Sequence, residues 1–170
     1  MAKSAEIQQD ELRQQLKAWG LRVTAPRLAV LGYVQRHPHA TASDVAEAVR
    51  KQLGSVSTQA VYDVLNSWTA ADHVRRIEPA GHPARFETRT GDNHHHVVCR
   101  KCGRAEDVDC AVNYTPCLTP SQDWGFALDE AEVIYWGLCP TCRGVPETAP
   151  SGAGHTCAVA DTSVVSNPEH

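Results

Sequence analysis

The chain has 170 residues, a hydrophobic fraction of 42% and a formal net charge of −4, which allows one domain or two small ones. No stretch approaches a membrane span, the opening MAKSAEIQQDELRQQL has no apolar signal core, and the seven cysteines include two Cys-x-x-C pairs, so a reducing cytoplasm is expected. Charge is unevenly divided: residues 1–85 hold 11 Lys and Arg against 8 Asp and Glu, whereas the rest hold 5 against 12, which suits the first part to phosphate and the second to a cation.

A first helix is predicted from about Ser4, as its cap, to Trp19, ended by Gly20, with Ile7, Leu12, Leu16 and Trp19 buried. Thr24 caps a second, with Pro26 in the first turn where a missing N–H costs nothing. It carries Leu28, Leu31 and Val34 and stops at His37-Pro38. Thr41 with Asp44 three residues on forms a capping box for a third helix, along which Val45, Ala46, Val49 and Leu53 recur before Gly54 ends it.

A fourth helix is predicted from Ser57 to about Ala70. The 100° step gathers Val61, Val64, Leu65 and Trp68 on one face and Thr58, Gln59, Tyr62, Asp63 and Asn66 on the other. A tyrosine among amides and hydroxyls on an outer face, after a short link from the preceding helix, makes a helix-turn-helix suited to reading bases. The sequel VRRIEPAGHPARFE reads as a β-hairpin wing, strands Val74 to Ile77 and Ala84 to Glu87, which sets Arg75, Arg76 and Arg85 near a duplex backbone. Polar helix faces are common, and the wing is what favours nucleic acid over a merely solvated face.

The stretch ETRTGDNHHHVVCRKC then crowds imidazoles and thiols together. Cys99 and Cys102, with Cys139 and Cys142, are expected to hold a structural Zn(II) tetrahedrally, since each two-residue gap lets both sulfurs of a pair meet one ion. The intervening chain must return the second pair beside the first. Disulfides or redox thiols are the rival reading.

His94 and His96 share one face of an extended run and His95 takes the other. With the carboxylates Glu87 and Asp107 they suggest a second site of nitrogen and oxygen donors suited to Fe(II), Mn(II) or Zn(II), the rival being a histidine-rich polar loop. Strands are predicted at Arg104 to Val108 and Val133 to Leu138. The segment CAVNYTPCLTPSQDWG has no clean period; Cys110 and Cys117 in it read as partly buried thiols or a thiol switch. From Gly144 onward the composition is that of a flexible tail, in which His155 and Cys157 are weak metal candidates. An enzyme is not expected: there is no H-E-x-x-H, nor the paired motif of zinc deaminases. A metal-storage or thiol-redox protein would not need the Tyr62 helix and wing.

The segments GLRVTAPR, HPHATASDV, AVYDVL, GDNHHHVVCRKCG and IYWGLCPTC, within a chain that resembles it as far as Arg143, are similar to the ferric uptake regulator family of metal-dependent repressors; ADVDC and DEAEVIYWGLCP resemble its actinobacterial branch, which represses catalase-peroxidase genes. The resemblance implies an α+β protein: a winged helix-turn-helix DNA-binding domain over residues 1–86, a small α/β dimerisation domain with a four-cysteine zinc site over 87–143, and a tail over 144–170. It implies a regulatory Fe(II) or Mn(II), with Zn(II) as a substitute, held by His39, Glu87, His94, His96 and Asp107. It further implies a homodimer on an A·T-rich palindromic operator, touched by Arg22, Ser57, Thr58, Gln59 and Tyr62 together with Asp63, Arg75 and Arg76. Asp107, where other members have glutamate, is similar to peroxide sensors that lose their metal when a ligand histidine is oxidised, the exposed candidates being His39 and His94. Glu87 resembles the iron-uptake members instead. Two departures stand out: accessory-site positions fall on Asn93 and Ala131, with only His95 left, so that site is expected absent or crippled, and Asp63 follows the tyrosine where relatives carry arginine or asparagine.

Overall fold

The computed structural model describes residues 2–92, 94–110, 118–128 and 131–144. Cys117, His155, Cys157 and the predicted tail beyond Gly144 lie outside them, as does Asn93. Helices come first: α1 (Ala2–Ala18), α2 (Ala25–Arg36), α3 (Ala42–Leu53) and α4 (Thr58–Thr69), with the two-residue strand β1 (Ala40–Thr41) between α2 and α3. Then follow β2 (Arg75–Ile77), β3 (Arg85–Glu87), β4 (His94–Cys99), β5 (Ala105–Asp109), β6 (Ile134–Gly137) and the single turn α5 (Pro140–Arg143). This is the expected α+β arrangement. Among the described residues no helix is long and apolar enough to cross a membrane.

The helix starts follow their caps. Thr24 accepts from the Arg27 amide, Ser57 from the Ala60 amide, and Thr41 and Asp44 close a reciprocal capping box, so orphan amides that would otherwise cost about 1 kcal/mol per cap are satisfied. The first helix departs from expectation. It begins at Ala2, which leaves Ser4 inside it, and Ile7 is 60% exposed; only Leu12 and Leu16 are buried, with Trp19 half-buried and set edge-on to Trp68, ring centroids 5.6 Å apart. At the end of α3, Leu53 is also exposed.

The core of the first unit joins Leu16, Leu31, Val34, Val45, Val49, Val61, Leu65, Trp68 and Phe86. Each such side chain contributes roughly 1.5–3 kcal/mol on burial. Phe86 is the strand residue among them, and it seats the sheet against the helices.

That sheet has the order β1-β3-β2, antiparallel throughout, with Ala40 opposite Phe86 and Arg75 opposite Glu87. The wing is therefore three-stranded, because the chain leaving α2 pairs with β3 before Thr41 caps α3. The second sheet has the order β5-β4-β6: β5 runs antiparallel to β4 and β6 parallel to it, with Cys99 beside Gly137. That parallel strand returns the second Cys-x-x-C to the first.

Candidate metal centres and nucleic-acid face

Cys99, Cys102, Cys139 and Cys142 bring their sulfurs within 4.8 Å of one another. Zn–S bonds of ~2.3 Å in a tetrahedron set sulfurs about 3.8 Å apart, and the Cys102 and Cys139 sulfurs are 3.7 Å apart. The Cys139 amide donates to the Cys99 sulfur at 3.3 Å and the Cys142 amide to the Cys139 sulfur at 3.4 Å. Burial opposes ionisation of Cys99, but backbone N–H groups of Cys139, Cys102 and Lys101 outweigh it and bring the thiol down to about 6. Thiolates are what zinc binds, so this donor set fits the ion.

The second cluster follows from register. Since Ala40 faces Phe86, the next step along the same pair sets His39 beside Glu87. On β4 and β5, His96 faces Asp107 and His94 faces Asp109, so these side chains share one face while His95 takes the opposite one. The two sheets meet there. His39 Nε2 lies 2.9 Å from Glu87 Oε2 and 2.7 Å from Asp107 Oδ1. His96 Nε2 lies 3.5 Å from Glu87 Oε1 and 3.7 Å from Asp107 Oδ1, and His94 Nε2 is 2.9 Å from Glu87 Oε1.

Donor atoms of His39, Glu87, His96 and Asp107 all fall within 4.8 Å of one another, and His94 adjoins that group through Glu87. Glu87, at the expected start of the second domain, closes β3; with His39 in the turn that enters β1, two of the four come from the winged-helix side and two from the second sheet. His39 and His94, expected as exposed, are instead 4% and 3% exposed.

His94 Nε2 and Glu87 Oε1 form a hydrogen bond, whereas the other atoms are close without being aligned as hydrogen bonds. His39 Nε2, Glu87 Oε2 and both ring nitrogens of His96 are buried with no well-directed partner, an arrangement that costs free energy unless something else satisfies it. Burial disfavours the charged form of Glu87, yet the adjacent His39 and His96 side chains hold its carboxyl well below the ordinary carboxylate range. Burial likewise acts to lower His39, and the carboxylates of Glu87 and Asp107 outweigh it and raise its pKa. Imidazole and carboxylate donors converging on one point, with His39, Glu87 and His96 buried and Asp107 at the surface, fit a divalent Fe, Mn or Zn ion.

His39 is held in place by its backbone. Its φ is 64°, its amide donates to the Phe86 carbonyl at 3.0 Å, and its carbonyl accepts from Arg85 Nη1 at 2.8 Å. Arg85 therefore does not face a duplex. It is 9% exposed, because its register position on β3 turns it inward, and its job is to brace the His39 turn.

On the helical side, Tyr62 is exposed on α4 and Asp63 beside it accepts from Gln59 Nε2 at 2.8 Å. Thr58 accepts from Arg50 at 2.9 Å, Ser57 serves as the helix cap, and Arg22 is exposed before α2 with its carbonyl accepting from Arg27. Arg76 pairs with Glu78 at 2.7 Å, and Arg75 Nε lies 4.0 Å from Glu87 Oε1, nearer the metal cluster than its sequence position suggests. Two residues that touch the cluster's ligands, Arg89 and Asp92, are not marked by any sequence pattern; both sit within the quoted histidine-rich stretch.

The ferric uptake regulator family model matches residues 18–135. The chain is 61% identical over 129 residues to the transcriptional regulator FurA of Mycobacterium tuberculosis, covering 76% of this chain and 88% of that protein. The Vibrio cholerae ferric uptake regulator, whose crystal structure reveals rearrangement of its DNA-binding domains, is similar with TM-score 0.57 and 26% identity over 74% of this chain and 98% of that one. The Pseudomonas aeruginosa regulator solved with manganese is similar with TM-score 0.54 and 26% identity over 74% of this chain and 96% of that one. These relatives carry the names of regulators, and the family's metal dependence agrees with the two donor sets. The chain belongs to the ferric uptake regulator family of metal-dependent transcriptional regulators.

Proposed function

We propose that the chain is a repressor which, as a homodimer, grips an A·T-rich palindrome when His39, Glu87, His94, His96 and Asp107 hold Fe(II) or Mn(II). The observation that carries this is the two-and-two origin of the donors: the turn into β1 and the end of β3 supply His39 and Glu87, and β4 and β5 supply His96 and Asp107. A ligand bound by both units favours the arrangement in which they are closed, and only such differential affinity shifts a population. Moving from almost all open to almost all closed takes ~5.5 kcal/mol, within reach of a divalent ion on five donors.

In the closed form Tyr62 meets thymine methyls in the major groove, Thr58 and Gln59 reach base edges, and Arg22 enters a narrow minor groove. Arg75, Arg76 and Ser57 stand near phosphate. Asp63 is held by Gln59, and it alters operator preference by repelling phosphate or by accepting from a cytosine amino group. The four cysteines hold a structural Zn(II).

Iron held by these donors would supply reductive cleavage of hydrogen peroxide, with the peroxide as the net two-electron oxidant of a ligand imidazole: one oxygen goes into a ring C–H bond and the other leaves as water. The chain's part is to keep His39 and His94 against the iron position, so that a ring carbon takes up one oxygen atom and the imidazole becomes a poor ligand. Low exposure of both rings does not oppose this, since iron held by these donors would act on peroxide within ligand distance of them. We infer on this basis a peroxide-responsive regulator of catalase- or peroxidase-type genes. A second reading rests on Glu87, a fully buried carboxylate ligand like that of iron-uptake members: simple iron-dependent corepression without oxidation.

Gel shifts on an A·T-rich palindrome with and without Mn(II) or Fe(II) test the common core. Metal-dependent retention is expected from the native chain and not from His39→Ala; equal retention by both would sink the bridging site. Peroxide treatment of the iron-loaded protein separates the two readings. A gain of about 16 mass units on His39 or His94, concurrent with loss of the shifted band, supports peroxide sensing; release of DNA with neither histidine modified supports the iron reading.

A further inference from the structure

Arg89, in the loop between β3 and β4, spreads one guanidinium over three carboxylates. Nε donates to Asp92 Oδ2 at 2.6 Å, Nη1 to Asp107 Oδ2 at 2.9 Å and Nη2 to Asp109 Oδ1 at 3.0 Å. One of these arms ends on the regulatory donor Asp107, and a second reaches the donor His94 through Asp92. Asp107 points Oδ1 at His39, 2.7 Å away, while Arg89 occupies its Oδ2. Asp92 uses its other oxygen, Oδ1, to accept from His94 Nδ1 at 2.9 Å, and the same ring turns Nε2 toward Glu87 Oε1 at 2.9 Å.

The geometry points to Arg89 as the positioning residue of the regulatory site. It limits Asp107 to one coordinating oxygen, and through Asp92 it fixes the His94 proton on Nδ1 so that the Nε2 lone pair faces the ion. Partners of this kind orient ligands and select their tautomer, and their loss typically costs roughly 10- to 100-fold in metal affinity.

An opposing effect has to be weighed, because a cation beside a metal site repels the metal. Here the guanidinium is shared among three carboxylates, so it leaves the group anionic, and its side chain is 37% exposed, where solvent screens its charge. Positioning should therefore win. The planar fork also explains why arginine stands here: one ammonium cannot direct three bonds along fixed lines to Asp92, Asp107 and Asp109.

The inference rests on the regulatory-metal reading above, and the experiment separates the two. Full-length, zinc-loaded protein is titrated with Mn(II), and its visible Co(II) ligand-field spectrum is recorded, for the native chain and for Arg89→Ala, Arg89→Lys, Asp92→Ala and His39→Ala. Arg89→Ala and Arg89→Lys are both expected to weaken Mn(II) by about 10- to 100-fold and to change the Co(II) spectrum as Asp107 gains use of its second oxygen. Asp92→Ala, which leaves Asp107 held, is expected to show a smaller loss. If Arg89→Ala binds Mn(II) as tightly as the native chain or tighter, or if Arg89→Lys restores native affinity and spectrum, the positioning role is overturned while the site stands. Equal Mn(II) binding by the native chain and His39→Ala would overturn the site and this role with it.

Discussion

Arg85 and Arg76 both belong to the predicted wing and meet opposite fates. Arg85 is buried and donates to the His39 carbonyl, so Arg85→Ala strands a buried acceptor and opens a void beside the turn. A loss of roughly 1–3 kcal/mol of stability is expected in urea unfolding, with no change in the salt dependence of DNA binding. Arg76 lies on the surface, paired with Glu78. Its replacement by alanine is expected to leave stability within about 0.5 kcal/mol and to reduce the slope of log affinity against log salt by about 1, as the loss of one phosphate contact should. If Arg85→Ala rather than Arg76→Ala flattened the salt slope, the inward placement of Arg85 would be wrong.

At the scale of elements, the sequence made the helices legible wherever a cap marked them. Thr24, Thr41 with Asp44 and Ser57 each start a helix as their side-chain chemistry requires. Ile7 misled because one helical face can be continued past the point where a partner element stops covering it. β1 was not legible: two residues between a helix end and a capping box carry no alternation. Yet this strand brings His39 to Glu87, which is why strand alternation could pair His94 with His96, and sequence proximity add the carboxylates Glu87 and Asp107, while His39 came only from the family resemblance.

The pairing of β1 with β3 should also respond to pH when the regulatory metal is absent. His39 has its pKa raised above the ordinary 6.5, so its contribution to stability is complete below 6.5 and disappears as pH rises through the raised value. Glu87 has its pKa lowered from 4.5, so its contribution is complete above 4.5 and is lost only on strong acidification. Both are therefore present between about 4.5 and 6.5. Amide exchange at Ala40 and Phe86 in chelator-treated, zinc-retaining protein should be most strongly protected there, after correction for intrinsic rates, and weaken above it; protection that instead rises above neutrality would contradict the His39 pairing.

For the whole molecule, the two donor sets imply different mechanical roles. The cysteine set joins the end of β4 to the turn after β6, both within the second unit, so Zn(II) there acts as a staple and its removal should unfold that sheet. The nitrogen and oxygen set spans both sheets, so its ion acts between units and is not needed to fold either. From this follows a separable stability effect. With zinc in place and Mn(II) at about 100 times its dissociation constant, the native chain should gain ~2.7 kcal/mol against unfolding, as mass action requires for a ligand bound only by the folded form. His39→Ala removes the donor from the winged-helix side that lies 2.7 Å from Asp107, and should lose most of this gain while the zinc-loaded protein without Mn(II) stays folded. Cys139→Ser should instead lower stability whether or not Mn(II) is present. Should His39→Ala retain the full Mn(II) gain, the ion must be satisfied by Glu87, His94, His96 and Asp107 without the His39 turn, and metal binding would have no purchase on the segment that leads from α2 into α3.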